Sequence, residues 1–181
     1  MIIESPFNGK IPKIHPTAFI APDVVIIGDV EVGAYTNIWF GAKLRGDWGK
    51  IIVGEYTSIQ DNAVLHSRPN KLCKIGNNVR LAHSCMVHGS CIIGDYSLVG
   101  INASVLHGAE LGIGSTLAGG SVLRDKVGDF CLYAGIPAVK KKEYPNKRLD
   151  KFSTKLYADN GQKFKNAGYG QKIPKEYLIK E

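Results

Sequence analysis

Cysteine motifs and long apolar runs are both missing from this chain of 181 residues. Its four cysteines have no C-x-x-C spacing, so the usual cysteine zinc site is absent, and no disulfide framework is expected. The N-terminus has no apolar signal segment, and no stretch approaches the roughly 18 apolar residues of a membrane span. These absences predict a cytoplasmic protein that does not bind membranes.

Aromatic residues are scarce, at 9% of the chain, although the net charge is +7. The positive charge comes mostly from lysines scattered over the C-terminal third, with few aromatic residues between them. Nucleic-acid sites combine basic patches with aromatic side chains. The lysines therefore indicate a solvated surface, and no nucleic-acid partner is expected.

What the chain does have is a repeat of six residues. An isoleucine, leucine or valine recurs at this step eighteen times, with only two longer steps, of nine and ten residues. A fixed short period is typical of a solenoid, and it argues against an amphipathic helix, whose apolar period is about 3.6 residues. The positions are Ile14, Ile20, Ile26, Val32, Ile38, Leu44, Val53, Ile59, Leu65, Ile75, Leu81, Val87, Ile93, Val99, Val105, Leu111, Leu117 and Leu123.

A small residue usually lies four positions after each aliphatic residue. The exceptions are Trp48 and Pro69, which lie in the two longer units and mark loops that leave the coil, where functional residues are often found. The pattern resembles that of the hexapeptide-repeat proteins, whose fold is a left-handed parallel β-helix with three short strands per coil. The resemblance implies an all-β solenoid of about six coils, because eighteen units fill six turns of three.

The repeat stops after Val127, which divides the chain into two parts. We expect a β-helix domain over residues 1–139 and a C-terminal helix and tail over residues 140–181. The apolar residues Leu149, Phe152, Leu156 and Phe164 predict an amphipathic helix, from about residue 146 to residue 164, that packs against the triangular prism formed by the β-helix. The segment from residue 166 onward is expected to be irregular.

Two histidines occupy equivalent places in the repeat. His66 and His88 each follow an aliphatic residue and lie three units apart, so a coil of three strands stacks them on one face. Neighbouring coils lie about 4.8 Å apart, which lets the two imidazoles converge on one metal ion. Arg45 is predicted on the same face, one coil before His66.

His83 occupies a different place, two residues after its aliphatic residue and directly above Asp61 in the coil below. Within one chain it is predicted to point away from His66 and His88. If the three histidines share a metal, His83 must come from a neighbouring subunit, and a closed three-fold ring fills every such site. The pattern therefore predicts a homotrimer, and a set of three histidines leaves an open position of the kind that catalytic metals keep.

The segments around these histidines resemble those of the γ-class carbonic anhydrases. The matching segments are Arg45-Gly46-Asp47, Gln60-Asp61-Asn62, Leu65-His66, and Leu81-Ala82-His83 followed by His88-Gly89. The resemblance extends from about residue 11 to residue 139. It implies that His66, His83 and His88 bind Zn²⁺, or Fe²⁺ or Co²⁺, between subunits of a homotrimer that hydrates CO₂ to bicarbonate.

The resemblance also implies supporting roles. Gln60 would orient the hydroxide or the CO₂, and Arg45 and Asp47 would form an ion pair across the subunit boundary. Tyr157, on the predicted helix, matches a tyrosine that reaches the metal pocket in the homologues. Asp61 is expected to accept the second N–H of a ligating imidazole, as carboxylates commonly do.

The chain departs from the archetypal enzyme of this class at three points. Trp48 stands where the archetype has a glutamate, and Ser58 stands where it has an asparagine. The acidic loop that carries a proton-shuttling glutamate is replaced by the short basic segment 67–71. Proton transfer to solvent therefore lacks its usual carrier, and weak activity is expected.

Two other functions remain open. Many hexapeptide-repeat proteins are acyltransferases, and some close homologues hydrolyse thioesters, so a coenzyme A substrate is the first alternative. A non-catalytic trimeric scaffold that binds metal is the second. The two remaining histidines, His15 and His107, are expected to have surface or packing roles.

Overall fold

The protein is a left-handed parallel β-solenoid followed by one α-helix, as seen in a computed structural model that describes residues 1–145 and 149–180. The helix α1 is Phe152–Asn166, and a short 3₁₀ turn covers Lys175–Tyr177. The strands are β1 Ile2–Ile3, β2 Lys13–Ile14, β3 Phe19–Ile20, β4 Val25–Val32, β5 Asn37–Ile38, β6 Lys43–Val53, β7 Ser58–Ile59, β8 Val64–His66, β9 Leu72–Ile75, β10 Arg80–Leu81, β11 Met86–His88, β12 Ile92–Ile93, β13 Leu98–Val99, β14 Ser104–Val105, β15 Glu110–Leu111, β16 Thr116–Leu117, β17 Val122–Leu123, β18 Cys131–Ala134 and β19 Val139–Glu143.

The solenoid has three faces. Face A contains the first halves of β4 and β6, then β8, β11, β14 and β17, and face B contains β2, the second halves of β4 and β6, then β9, β12 and β15. Because β4 and β6 turn the corner without a break, these two faces form one sheet. Face C contains β3, β5, β7, β10, β13, β16 and β18. Its seven parallel strands give about seven turns, one more than predicted, because β18 continues the coil after the repeat has ended.

The predicted ladder of aliphatic residues is confirmed as the core. Each of the eighteen side chains is at most 2% exposed, and residues of neighbouring coils pair in register, for example Leu44 with Leu65 and Leu65 with Val87. Glycine follows several of these residues because the coils approach closely at the turns. A Cβ added at Gly33 would lie 2.7 Å from the carbonyl carbon of Gly54. The inward period of six thus sets both the core and the stacking of all outward residues.

Helix α1 packs on face C, and of the four predicted apolar residues only Phe164 packs against the core. Leu149, Phe152 and Leu156 are exposed, whereas the small residues Thr154, Ala158 and Gly161 are buried against the prism. A helix can approach a flat sheet face closely only where the helix side chains are small. Gly161 shows how close this approach is, because a Cβ added there would lie 3.0 Å from the Cβ of Asn37. The predicted start of this helix, Asn146 to Arg148, lies outside the described residues.

Aromatic contacts attach the end of α1 to the first coils. The ring of Phe164 lies 5.8 Å from that of Phe19 and 5.3 Å from that of Trp39. Beyond the helix, the tail returns to the first coil, where Leu178 pairs with Ile14. No helix in the described part of the chain has the length and apolarity needed to cross a membrane.

Candidate metal centre

His66 and His88 lie side by side on face A. They are register partners on β8 and β11, and their ring centroids are 5.5 Å apart. Arg45 on β6 is the register partner of His66 in the preceding coil. The stacking predicted from the six-residue count is therefore confirmed, and it brings two imidazoles within reach of one ion.

Both ring nitrogens of His66 have partners. The guanidinium of Arg45 approaches Nδ1 at 3.3 Å, and Nε2 lies 3.3 Å from Asp47 Oδ1. Because a guanidinium can only donate, Nδ1 accepts and Nε2–H donates to the carboxylate. Burial, followed by the charge of Arg45, lowers the pKa of His66 from its ordinary value. His66 is thus held in the neutral form that a metal ligand requires.

The ion pair between Arg45 and Asp47 forms within one chain, with Nη1 and Oδ2 2.6 Å apart. The strand period explains this contact, since residues two apart on β6 project to the same side. The pair across a subunit boundary that the resemblance implies stays a prediction. Asp47 therefore links the guanidinium to His66 on a single face.

His83 lies at the corner between faces C and A, where its Nδ1 is 2.9 Å from Asp61 Oδ2. The carboxylate accepts the Nδ1 proton, which leaves Nε2 as a lone-pair donor directed away from Asp61. The side chain is 48% exposed. Within the described ranges of one chain, no three histidine, cysteine or acidic side chains come close enough to hold a metal. His83 accordingly does not complete the His66 and His88 pair in its own chain, as the sequence predicts.

Gln60 and Tyr157 lie on face C. Gln60 is buried at the end of this face, directly before Asp61, and its neighbour in the next coil is Ala82. Tyr157 lines a cavity of about 470 Å³ together with Arg80, Ser153, Leu156 and Asn160. The structure thus groups Gln60, Asp61 and His83 at one corner, with Tyr157 on α1, which packs on face C. It places Arg45, Asp47, His66 and His88 on face A.

A mainly apolar cavity of about 370 Å³ adjoins the histidine pair on face A. Sequence reasoning missed it, although apolar residues stand at outward positions where a solvated face would carry polar ones. Its lining residues are Val25, Ile27, Lys43, Leu44, Arg45, Val64, His66, Met86 and His88. The pair is therefore open to a small, weakly polar molecule.

Comparisons with known proteins agree with this architecture. The model of the bacterial transferase hexapeptide family (six repeats) matches residues 11–46. A hexapeptide transferase family protein from Anaplasma phagocytophilum is 37% identical, and its structure superposes with a TM-score of 0.83 over 91% of this chain and 98% of that one. The chain belongs to the hexapeptide transferase family.

Two curated relatives within this family have names that indicate different functions. The carnitine operon protein CaiE of Escherichia coli K12 is 42% identical over 118 residues, which are 65% of this chain and 60% of CaiE. A carbonic anhydrase of Geobacillus kaustophilus is 40% identical over 109 residues, 60% of this chain and 59% of that protein. The matches thus span about 60% of the length of these curated relatives. They confirm the resemblance to the γ-carbonic anhydrase-like members of the hexapeptide transferase family.

The donor set fits a divalent transition metal. Imidazole nitrogen suits Zn²⁺, Fe²⁺ and Co²⁺ alike, and the Asp61–His83 contact is the carboxylate–histidine arrangement that orients metal ligands. A metal at His66 would compete with Arg45 and Asp47 for a ring nitrogen. The three imidazoles fit such an ion only if His83 is supplied by a second copy of the chain.

Trp48 occupies the rim of this site. Its indole lies 5.6 Å from the His66 ring, and the Arg45 guanidinium lies 5.5 Å from the indole centroid. The indole offers no acceptor for a proton, whereas the glutamate of the archetype would. Trp48 therefore places an apolar ring in contact with the Arg45 cation at the position where the archetype has its first glutamate.

Proposed function

We propose that the protein is a metal-dependent carbonic anhydrase, active as a homotrimer. His66 and His88 of one subunit and His83 of its neighbour would hold Zn²⁺, with Fe²⁺ and Co²⁺ as alternatives. The observation that supports this most directly is the pairing of two stacked imidazoles on face A with a third imidazole, oriented by Asp61, at an exposed corner. In this proposal the exposed corner supplies its imidazole to a neighbouring chain.

The surroundings of His83 support contact with a second subunit. Phe40, Asp61, His83 and Ile101 follow one another up the corner, linked by backbone hydrogen bonds between successive coils. Phe40 is 38% exposed and Ile101 54% exposed, on either side of the Asp61–His83 pair. These apolar side chains match the apolar lining of the face A cavity. Packing the corner of one subunit on face A of the next would bury both surfaces and close a ring.

When bound, a metal in this setting supplies hydroxide near neutral pH by lowering the pKa of a water to about 7. The residues of the chain have separate tasks in this proposal. Asp61 keeps the proton of His83 on Nδ1, and Arg45 and Asp47 hold the ring of His66. The buried amide of Gln60, next to this corner, would hydrogen-bond to the CO₂ or to the attacking oxygen. The apolar cavity admits CO₂, which has no charge to desolvate.

The experiment that tests this proposal is stopped-flow CO₂ hydration by protein purified without oxygen and reconstituted in turn with Zn²⁺, Fe²⁺ and Co²⁺. Hydration that requires both a metal and His88 is the expected result, at a modest rate because the basic segment 67–71 replaces the loop with the proton-shuttling glutamate. The His88→Ala protein is the blank. Full metal occupancy with no hydration in any of the three forms would refute the carbonic anhydrase assignment.

The orientation of His83 by Asp61 gives a second expected result. The Asp61→Asn protein should bind Zn²⁺ about 10- to 100-fold more weakly, the usual effect of losing such a partner. The reason is that an amide no longer fixes the Nδ1–H tautomer. Competitive titration with a chromogenic chelator measures the affinity. Asp129→Asn is the matched control, because Asp129 accepts a backbone N–H at another corner, and a similar loss in both variants would contradict the role of Asp61.

Acyl transfer or thioester hydrolysis on a coenzyme A substrate is the second candidate, favoured by membership of the hexapeptide transferase family. The same protein should then consume acetyl-coenzyme A in a thiol-release assay. Thiol release without CO₂ hydration would support this function. The absence of both activities, with metal bound, would support a scaffold.

A further inference from the structure

The corner between faces B and C has an unusual set of backbone conformations. Tyr35, Tyr56, Asn78 and Tyr96 occupy equivalent turn positions there, with φ of 55°, 51°, 54° and 60°. Positive φ is rare for bulky residues, and glycine or asparagine is the ordinary choice. Among the described residues, every aromatic residue with positive φ lies at this corner, the fourth being Phe130. At the corner between faces C and A, beside His83, the same conformation is adopted by Asn62, Ser84 and Asn102.

Tyrosines occupy this turn position in three of four successive coils, and Asn78 occupies it in the remaining coil. Backbone hydrogen bonds connect the turns of Tyr35, Tyr56, Asn78 and Tyr96 in this order, one coil after another. The rings of Tyr35 and Tyr56 are stacked, with centroids 4.9 Å apart and an angle of 20° between their planes. Asn78 occupies the next coil, and its side-chain oxygen accepts a hydrogen bond from Thr154 on α1, at 3.1 Å.

The gap between Tyr56 and Tyr96, at the level of Asn78, has the height of one stacked aromatic ring. Tyr56 and Tyr96 are two coils apart, or about 9.6 Å at the spacing of neighbouring strands. A ring inserted between them would lie about 4.8 Å from each, within the range of stacked aromatic pairs. This is the separation that Tyr35 and Tyr56 already have.

A cavity of about 470 Å³ opens at this gap, between the corner and α1. Its volume lies in the usual range for small-molecule sites. Lys155 is already paired with Asp159, with Nζ 2.8 Å from Oδ2, so Lys151, whose Nζ lies 5.9 Å from the Tyr96 centroid, is the cation offered to a ligand. The lining residues are Tyr35, Tyr56, Asn78, Tyr96, Lys151, Lys155, Ala158, Asp159 and Gln162.

We propose that this cavity is a second binding site, which takes a planar aromatic ring bearing an anionic group. The ring would stack between Tyr56 and Tyr96 beside Asn78, and the anion would pair with Lys151. The site is independent of the proposed metal centre, because it lies at the corner between faces B and C and His83 lies at the corner between faces C and A.

Adenosine monophosphate and 2-naphthoate are the probes, in saturation-transfer NMR and titration with the full chain. Both should bind. Ribose 5-phosphate, which lacks the ring, should bind about tenfold more weakly than adenosine monophosphate, since a stacked base contributes roughly that factor or more. Adenosine, which lacks the charge, should also bind about tenfold more weakly, because it cannot form the charge-assisted hydrogen bond to Lys151. Failure of both aromatic anions to bind, or equal binding of adenosine monophosphate and ribose 5-phosphate, would overturn the proposal.

Two variants separate binding from folding. Tyr96→Gly removes one wall and places glycine at a positive φ that glycine favours, so the thermal midpoint should not fall because of the backbone. Asn78→Tyr places a tyrosine ring at the level of the proposed ligand. It also removes the acceptor of the Thr154 hydroxyl on α1, so its thermal midpoint is measured together with the affinity. Each variant should weaken binding at least tenfold. Phe130→Gly is the matched control, at the same corner and φ but outside the cavity, and should change affinity by less than about twofold; unchanged affinity in both Tyr96→Gly and Asn78→Tyr would show that the tyrosines only pack against α1.

Discussion

Replacement of His83 by alanine is expected to abolish stoichiometric metal binding and CO₂ hydration while leaving the coil folded. The side chain is about half exposed and its only polar contact in the described residues is with Asp61, so its removal leaves no cavity in the core. The remaining pair, His66 and His88, provides only two of the three ligands that a catalytic zinc site uses. Elemental analysis after dialysis against Zn²⁺ measures the metal content per chain.

His107→Ala is the control for this experiment. His107 is exposed too and contacts Ser90 at another corner, with Nδ1 and Oγ 3.1 Å apart. It should keep the metal content and the activity of the unmodified protein. Light scattering of both variants should show a trimer. A stable monomer in the unmodified protein, or full metal content in His83→Ala, would show that the ligand is not shared between subunits.

The second large effect is expected in the core beneath the histidines. Leu65 is fully buried between its register partners Leu44 and Val87, directly before His66. Leu65→Ala should lower the free energy of unfolding by about 2–5 kcal/mol, the range for a buried leucine whose cavity cannot collapse. Collapse is restricted here because the backbone hydrogen bonds fix the spacing of the coils.

Leu72→Ala makes the same chemical change where the side chain is 41% exposed. Its effect on the free energy of unfolding should stay within about 0.5 kcal/mol, as for most surface substitutions. Urea denaturation followed by circular dichroism measures both variants. Equal losses in the two proteins would mean that the inward ladder does not carry the stability of the coil.

The inward ladder was predictable from the six-residue period, and the histidine stack from that period together with the three strands per coil that the family resemblance implies. Once the period is six and three strands make a coil, the positions of Arg45, His66 and His88 on one face follow by arithmetic, as does the placement of His83 above Asp61. No estimate of energies is needed, since backbone hydrogen bonds impose the register. The same count stops at Val127, which is why β18 and the additional turn were not foreseen.

Side-chain packing outside the repeat was not predictable in this way. Apolar spacing selected four residues for the contact with the β-helix, Leu149, Phe152, Leu156 and Phe164, and only Phe164 makes it. Close approach to a flat face instead favours Thr154, Ala158 and Gly161. The resemblance assigned Arg45 and Asp47 to an ion pair between subunits, which stays a prediction, and it did not indicate the 2.6 Å contact between them within β6. The cavity on face A required knowing which outward residues adjoin one another across coils.

The in-register stacking of coils also makes one turn the natural unit of change in this protein's length. Ile92 pairs with Glu110, so residues 92–109 form one complete turn between equivalent points. Loss or duplication of that turn would shorten or lengthen the prism without moving His66, His83 or His88 relative to one another. A deletion of a single residue in the same region would instead shift the register, so that later inward side chains would point outward and later outward side chains inward. Genes of this type can therefore vary in length by whole turns beyond the metal centre while the geometry of that centre stays constant.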